Sequence, residues 1–309
     1  MSLPQQERST IAVIGLGGIG GGVAGCLRES DRHDVVACAR RPLQRFVLER
    51  PGHAAALPLR ILADPADAAR VDWVLLCTKG YQVPSAAPWL ARLCDAATRV
   101  AVLQNGMGHV GRVGPLVNGA KVIPVIVYYN GERLAADHVR IRPVGEHDLA
   151  VADDSDGRAF AQLFAGTPLR VLLSADFTTL AWRKLLLNAV ANPITALTSQ
   201  RQGVLRRDDI HALSLALLDE VVAVARADGA QLADDEQART MATLFTYPPE
   251  VGTSMYFDRL AGRPLEVETL TGSVVAAGER YGIATPLNRA LLALLRAVSD
   301  AAGNSSSRA

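Results

Sequence analysis

The sequence predicts an α/β N-terminal domain, a parallel sheet with a small antiparallel extension, followed by an all-α C-terminal domain. Three observations carry this. Short, near-continuous apolar runs of β type recur between residues 10 and about 173, and the first of them opens directly into Gly15-Leu16-Gly17-Gly18-Ile19-Gly20. After about residue 175 the β-type runs stop, and apolar residues recur at three- and four-residue spacing. Continuous apolar runs are strands buried on both faces, as in a parallel sheet covered by helices, whereas the wider spacing marks one face of a helix. The domains are therefore placed at 1–175 and 176–309.

The predicted strands are IAVIG at 11–15, DVVACAR at 34–40, VDWVLLCTK at 71–79, RVAVLQNG at 99–106 and KVIPVIVYY at 121–129, with crossover helices over 22–29 and 83–93. From 131 to 171 the chain is more polar, with short runs such as HVRIRP, DLAVA and LRVLL, and reads as the antiparallel extension. Helices are predicted over 180–197, 210–228 and 267–280. Gly229 and Gly282 stand where helices would end, and Thr285-Pro286 reads as the cap and first position of a last helix. The tail AAGNSSSRA carries too little apolar surface to pack and is expected to fray.

Composition narrows the function. With 309 residues, 49% hydrophobic and 20% charged, the chain is an ordinary globular mixture long enough for about two domains. Thirty-two Lys+Arg against 31 Asp+Glu leave a formal +1, no footprint for a nucleic-acid backbone or an anionic membrane. Cys26, Cys38, Cys77 and Cys94 form no CxxC pair and read as thiols of a reducing compartment. No apolar run approaches the ~18–20 residues of a membrane helix. The first run is broken by Gly15, Gly17 and Gly18 before it could be a signal segment. A soluble cytoplasmic protein with neither nucleic-acid nor membrane partner is expected. The six histidines share no HxH, HxxxH or HExxH spacing, so neither a metal site nor a histidine-based triad is expected.

The glycine motif carries the first chemistry. Between a strand and a helix, Gly15 allows a tight turn, Gly17 lets the backbone approach a pyrophosphate, and Gly20 permits close helix-to-strand packing. The N–H groups at the helix start, around Gly18 and Ile19, hold the anion. This is the fingerprint of a Rossmann-type dinucleotide site, the alternative being a plain glycine-rich turn. Where an NAD site places an acid about 20 residues on, this chain has Arg40, followed by Arg41. A guanidinium there pairs with a 2′-phosphate and favours NADPH, unless the two arginines are merely a solvated pair. Lys79 and Asn105 each fall at the carboxyl end of a strand-like run, the ligand edge of such a sheet, although Asn105-Gly106 is also a common turn dipeptide.

In the helical half, Lys184, Asn188 and Asn192 recur at intervals of four, nearly in line on one helix face, with Leu185, Leu186, Leu187, Val190 and Ile194 around them. On so apolar a helix the stripe either lines a polar cavity or forms a solvent-facing edge. Pro193 within it tends to kink the axis. Ser254 and the run Arg263 to Glu268 form a second cluster, in which spacing does not separate a capping carboxylate from a catalytic one at Glu266 or Glu268.

Taken together, IAVIGLGGIGG, LLCTKGYQ, LQNGMG, WRKLLLNAVANPITAL, Ser254-Met255, AGRPLEVETLTG and YGIATPLNRAL resemble, in order and from residue 11 to about 298, the ketopantoate reductase family (2-dehydropantoate 2-reductases). The resemblance implies an NADPH-binding Rossmann domain, an all-helical domain, and an active site in the cleft between them. It implies that Gly15, Gly17, Gly18, Ile19 and Gly20 hold the pyrophosphate, Arg40 the 2′-phosphate, and Lys79 and Asn105 the cofactor near its ribose and nicotinamide. It further implies Lys184 as general acid, Glu266 as the second catalytic group, and Asn188, Asn192 and Ser254 as substrate-binding groups. The reaction implied is reduction of a 2-oxo acid, ketopantoate to pantoate in pantothenate biosynthesis, by a homodimer formed through the helical half. Two places depart from the family: Thr271-Gly272 where an Asn-Gly is frequent, and VYYNGER at 127–133. Both bear on the substrate. A reductase of another 2-oxo acid, a β-hydroxyacid or opine-type dehydrogenase, and a non-catalytic NADP-binding sensor are the alternatives, the last opposed by the intact polar set.

Overall fold

In a computed structural model of the chain, residues 8–39, 43 and 45–306 are described. They fall into two compact units, one running to Gln104 and from His109 to Ala175, the other comprising Asn105–Gly108 and the chain from Asp176 onward.

The first unit comprises β1 (Thr10–Ile14), α1 (Gly18–Ser30), β2 (Asp34–Cys38), β3 (Phe46–Arg50), β4 (His53–Leu57), β5 (Arg60–Leu62), β6 (Trp73–Leu76), α2 (Val83–Leu93), β7 (Arg99–Val102), α3 (His109–Val113), β8 (Lys121–Pro124), β9 (Ile126–Val127), β10 (Asn130–Ala135), β11 (His138–Arg142), β12 (Leu149–Ala152), α4 (Ser155–Leu163) and β13 (Val171–Ser174). Its main sheet has six parallel strands in the order β5-β2-β1-β6-β7-β8. Along β1, Ile11 and Val13 pack with Val23 and Leu27 of α1, while Ala12 and Ile14 pack on the other face with Leu90 and Leu93 of α2. Both faces of β1 are buried, which is why its run from Ile11 to Ile14 is apolar without a break. The strand order reverses between β1 and β6, and a crevice at that switch is where such sheets take ligands.

The antiparallel extension differs from its sequence reading. The hairpin β10–β11 joins β3–β4, a segment to which the pattern assigned no element, in a second sheet of order β10-β11-β3-β4 whose central pairing, β11 with β3, is parallel. A third sheet, β13-β12-β9, is also mixed. Between its strands lies α4, capped by Asp154, whose carboxylate accepts from Gly157 N at 2.7 Å. Long-range pairing between segments some 90 residues apart leaves no local period to read.

The second sheet also explains the glycines of α1. Each glycine inside a helix costs roughly 1 kcal/mol against alanine, so their number calls for a spatial reason. A Cβ at Gly21 would lie 2.6 Å from the Val139 side chain, one at Gly22 2.7 Å from Ile141, and one at Gly25 3.0 Å from Leu48. The helix lies so close to β11 and β3 that a side chain at Gly21 or Gly22 would have to displace Val139 or Ile141, and one at Gly25 would press on Leu48.

The second unit is built from α5 (Phe177–Thr198), α6 (Asp208–Ala227), α7 (Glu236–Thr246), α8 (Ser254–Leu260), α9 (Thr271–Tyr281) and α10 (Pro286–Ser306) around its own apolar core. The predicted helix at 267–280 starts later, at Thr271. Gly282 closes α9 with φ +68, as its position implied. At the start of α10 the capping group is not the Thr285 hydroxyl: the Glu220 carboxylate of α6 accepts from Leu287 N at 2.8 Å and Asn288 N at 2.9 Å. A negative side chain from a neighbouring helix serves the exposed N–H groups and the helix dipole together. The tail expected to fray is helical as far as Ser306, with Ala302 buried.

Candidate functional site

The glycine loop sits at the end of β1 beside β6. Gly15 has φ +97, a left-handed conformation that favours glycine, and a Cβ there would stand 2.9 Å from Thr78 N. A Cβ at Gly20 would overlap the Gly15 carbonyl, whereas Gly17 has nothing within 4 Å of that position. The three motif glycines thus provide a turn, a close packing and an open approach. The first helical bond of α1 runs from Gly21 N to Gly17 O at 2.8 Å, so the N–H groups of Gly18, Ile19 and Gly20 have no intrahelical acceptor. No acidic residue stands in that first turn. A positive helix end, free N–H donors and open space beside Gly17 fit a dinucleotide pyrophosphate. Gly18 has a second reason to be glycine, because its Cβ would overlap the backbone of Gly131. Arg40 lies outside the described residues.

Lys79 is half-buried, three residues beyond β6, and its N–H donates to Gln82 Oε1 at 3.1 Å. The loops after β6 and β7 are tied by a residue that spacing did not single out. Buried Gln104 donates through Nε2 to Thr78 Oγ1 at 3.2 Å and accepts from Arg112 of α3 at 2.9 Å. A lone glutamine before a turn carries no sequence signal of such a role.

Asn105, read from sequence as a cofactor-side residue, clusters with the helical unit. Its Nδ2 lies 3.5 Å from Glu266 Oε2, and Met107 N donates to Thr269 O at 3.2 Å. Gly106 makes this approach possible, with φ +91 and its Cβ position inside the Thr269 carbonyl. Gly106→Ala is expected to lower stability by about 1–3 kcal/mol, since both strain and overlap oppose it. A denaturation midpoint unchanged from wild type would contradict that packing.

The two carboxylates that spacing left unresolved separate clearly. Glu268 is exposed and makes a bidentate pair with Arg296 of α10 at 2.7 and 2.8 Å, which lowers its pKa. Glu266 is 5% exposed and faces Asn105. Thr271 is fully buried at the start of α9, and its hydroxyl has no hydrogen-bond partner among the described residues.

On α5, Lys184 and Asn188 are half-buried and Asn192 is buried. Burial lowers the pKa of Lys184, because removing an ammonium from water disfavours its charged form. The turn that carries it is anchored on both neighbours: Trp182 Nε1 donates to Asp228 at 2.9 Å, and Arg183 Nε to buried Glu236 at 3.0 Å. The helix runs through Pro193 without interruption. Beyond Asn192, Thr195 Oγ1 stands 2.7 Å from Thr253 Oγ1, and Thr253 caps α8 by accepting from Tyr256 N at 3.1 Å. This pair, which spacing did not reveal, brings the start of α8 and the exposed Ser254 beside α5. Asn105, Lys184, Asn188, Asn192, Ser254 and Glu266 therefore share the second unit, while Gly15, Gly17, Gly18, Ile19, Gly20 and Lys79 belong to the first.

Other chemistries find little support. Burial pushes the thiols of Cys26, Cys38 and Cys94 up to about 12, which keeps them from acting as nucleophiles. Among the described residues no group of His, Cys, Asp and Glu is placed to hold a metal ion, and no helix is long and apolar enough to cross a membrane. A cavity of about 180 Å³ bordered by Arg50, Tyr129, Ile141 and Asp148 contains none of the candidate residues.

A parallel sheet reversing order beside a GxGxxG loop, with a helical unit presenting a buried-side lysine among carboxamides, defines the class of two-part, dinucleotide-dependent oxidoreductases. Comparison with known proteins gives the family. The model for ketopantoate reductase PanE/ApbA matches residues 11–153, and that for its C-terminal part matches 176–299. A 2-dehydropantoate 2-reductase of Mycobacterium tuberculosis is 39% identical over 295 residues, 95% of this chain and 99% of that protein. One from Caulobacter vibrioides is 36% identical, over 94% of this chain and 99% of that protein. Among solved structures, a PanE/ApbA family ketopantoate reductase from Ralstonia eutropha superposes with a TM-score of 0.85 at 29% identity, covering 95% of this chain and 99% of the other. A dimeric ketopantoate reductase from Staphylococcus aureus does so at 0.84 and 26%, with the same coverage. The chain belongs to the ketopantoate reductase family.

Proposed function

We propose that this protein is the NADPH-dependent reductase that converts 2-dehydropantoate to pantoate, a step of pantothenate biosynthesis. The family and the near-full-length identity to 2-dehydropantoate 2-reductases support the reaction. The observation that carries the mechanism is Lys184, an ammonium on the one polar stripe of an apolar helix, with its pKa lowered by burial.

A bound reduced nicotinamide dinucleotide supplies the hydride. The N–H groups of Gly18, Ile19 and Gly20 hold its pyrophosphate, Gly15 and Gly17 shape the loop, and Lys79 binds nearer the ribose. As the 2-oxo carbon is reduced, Lys184 stabilises the negative charge growing on the carbonyl oxygen and then donates its proton there. Each role lowers the barrier only if the ammonium is already in place, which the anchored turn of α5 provides. Asn188, Asn192 and Ser254 donate to the carboxylate and hydroxyl of the substrate. Glu266, an acceptor buried beside Asn105, takes the distal hydroxyl or orients Lys184, and Asn105 faces the cofactor near its nicotinamide.

NADPH, rather than NADH, rests on Arg40 standing in the sequence about 20 residues after the glycine motif, where an NAD site would carry an acid. Arg40→Ala is expected to weaken NADPH binding by roughly tenfold or more while leaving NADH nearly unaffected, the loss of a charge-assisted phosphate contact. Equal losses for both cofactors, measured by fluorescence titration, would overturn the assignment. The dimeric S. aureus relative supports a homodimer, whose formation through the helical unit is what the family resemblance implies, and four free cysteines support a cytoplasmic location. Sedimentation of the purified protein as a monomer would refute the former.

A further inference from the structure

The departure at 127–133 concerns the substrate if judged from sequence alone, yet the structure puts its central residues against the phosphate loop. Tyr129 is 3% exposed, and its hydroxyl donates to the carbonyl of Ile19, in the first turn of α1, at 2.6 Å. The same oxygen lies 3.0 Å from where a Cβ of Gly22 would be. Two residues on, at the start of β10, Gly131 meets Gly18 backbone to backbone, so closely that a Cβ on either would overlap the other. Tyr129 is held neutral, its pKa raised well above the ordinary value by burial, and so remains a donor across any working pH. Two consecutive residues of the cradle, Gly18 and Ile19, are therefore gripped from behind by one short segment.

We infer that Tyr129 and Gly131 are positioning residues for the dinucleotide: they brace the first turn of α1 so that the N–H groups of Gly18 and Ile19 stand fixed for a pyrophosphate before it arrives. The physical gain is preorganisation. A helix end containing Gly18, Gly20, Gly21 and Gly22 is the least constrained backbone a helix can have, and ordering it on binding would be drawn from the affinity. An external hydrogen bond and a backbone contact remove that cost while leaving the outward face open at Gly17. The segment thereby serves the cofactor by way of the helix end.

The inference rests on the dinucleotide reading above, and the test separates the two. Wild type, Tyr129→Phe and Gly131→Ala are titrated with NADPH and with 2′-phospho-ADP-ribose, which has the pyrophosphate but no nicotinamide, and the KM for 2-dehydropantoate is measured at saturating NADPH. Tyr129→Phe keeps the ring and loses only the hydroxyl, so it is expected to weaken both ligands about three- to tenfold, the worth of one hydrogen bond. Gly131→Ala is expected to weaken both by more, about thirtyfold, by displacing Gly18. The KM for the oxo acid is expected to stay as in wild type. If both folded variants bind the two ligands as wild type does, or lose only thermal stability, the brace is wrong while the reductase reading stands. A raised oxo acid KM with unchanged dinucleotide affinity would return the segment to the substrate side. Should Gly131→Ala fail to fold, Tyr129→Phe decides alone. A wild type that binds neither ligand would overturn both readings.

Discussion

Lys184→Ala is expected to cut kcat for 2-dehydropantoate by about 100- to 10,000-fold, the range ascribed to a positioned proton donor, with NADPH affinity retained. Lys184 lies in the helical unit and the glycine loop in the other, so the two effects are separable in one variant. The pH dependence carries the same information with a definite sign. Because burial lowers the folded-state pKa of Lys184 below 10.5, the proton donor is lost as pH rises through that lowered value. The alkaline limb of kcat is therefore expected below the ordinary lysine range, and it is expected to vanish from the residual rate of Lys184→Ala. Stability moves the other way. Between the lowered folded pKa and the unfolded one, the unfolded chain binds a proton that the folded chain does not, so stability rises with pH across that window. Removing the lysine is expected to flatten that rise, as measured by denaturant midpoints at a series of alkaline pH values.

Gly20→Ala is expected to abolish dinucleotide binding and to lower stability by about 1–3 kcal/mol. Two effects compete at this position. Alanine gains roughly 1 kcal/mol of helix propensity over glycine. Against that, the added methyl would overlap the Gly15 carbonyl and stand 2.8 Å from Cys77 Cβ, both on the β1–β6 side of the helix, where backbone rather than a flexible side chain must yield. Overlap is expected to win, and a stabilised Gly20→Ala would contradict the close packing of α1 on the sheet. Gly17→Ala makes the contrast, because its methyl meets nothing within 4 Å. It is expected to fold as wild type and still lose dinucleotide affinity, since the methyl fills the space a pyrophosphate needs. The pair separates a glycine kept for packing from one kept for a ligand.

Much of this was legible in the sequence where local physics decides the structure. The strands β1, β2, β6, β7 and β8 are buried on both faces, so their apolar runs stand out, and α2 occupies the predicted residues 83–93. Lys184, Asn188 and Asn192 share a helix because period alone puts them there. What escaped depends on partners remote in sequence. The parallel pairing of β11 with β3 joins His138 to Val47, the cap of α10 comes from Glu220 of α6, and α8 is fastened to α5 by Thr195 and Thr253. None of these has a period or a motif. The glycines of α1 show the same limit: the GxGxxG spacing accounts only for Gly20 among them, while Gly21, Gly22 and Gly25 answer to Val139, Ile141 and Leu48 of another sheet. Asn105 belongs in this group as well, since only the contact with Glu266 assigns its loop to the helical unit.

The protein is proposed to be a 2-oxo acid reductase whose proton donor is Lys184. The most direct test is the rate of NADPH oxidation with 2-dehydropantoate, beside 2-oxoisovalerate and pyruvate, for the wild type and for Lys184→Ala. Rapid turnover of 2-dehydropantoate above the other two, lost in Lys184→Ala while NADPH still binds, is the expected result. Turnover that survives in Lys184→Ala, or a wild type that binds NADPH and leaves 2-dehydropantoate unreduced, would contradict it.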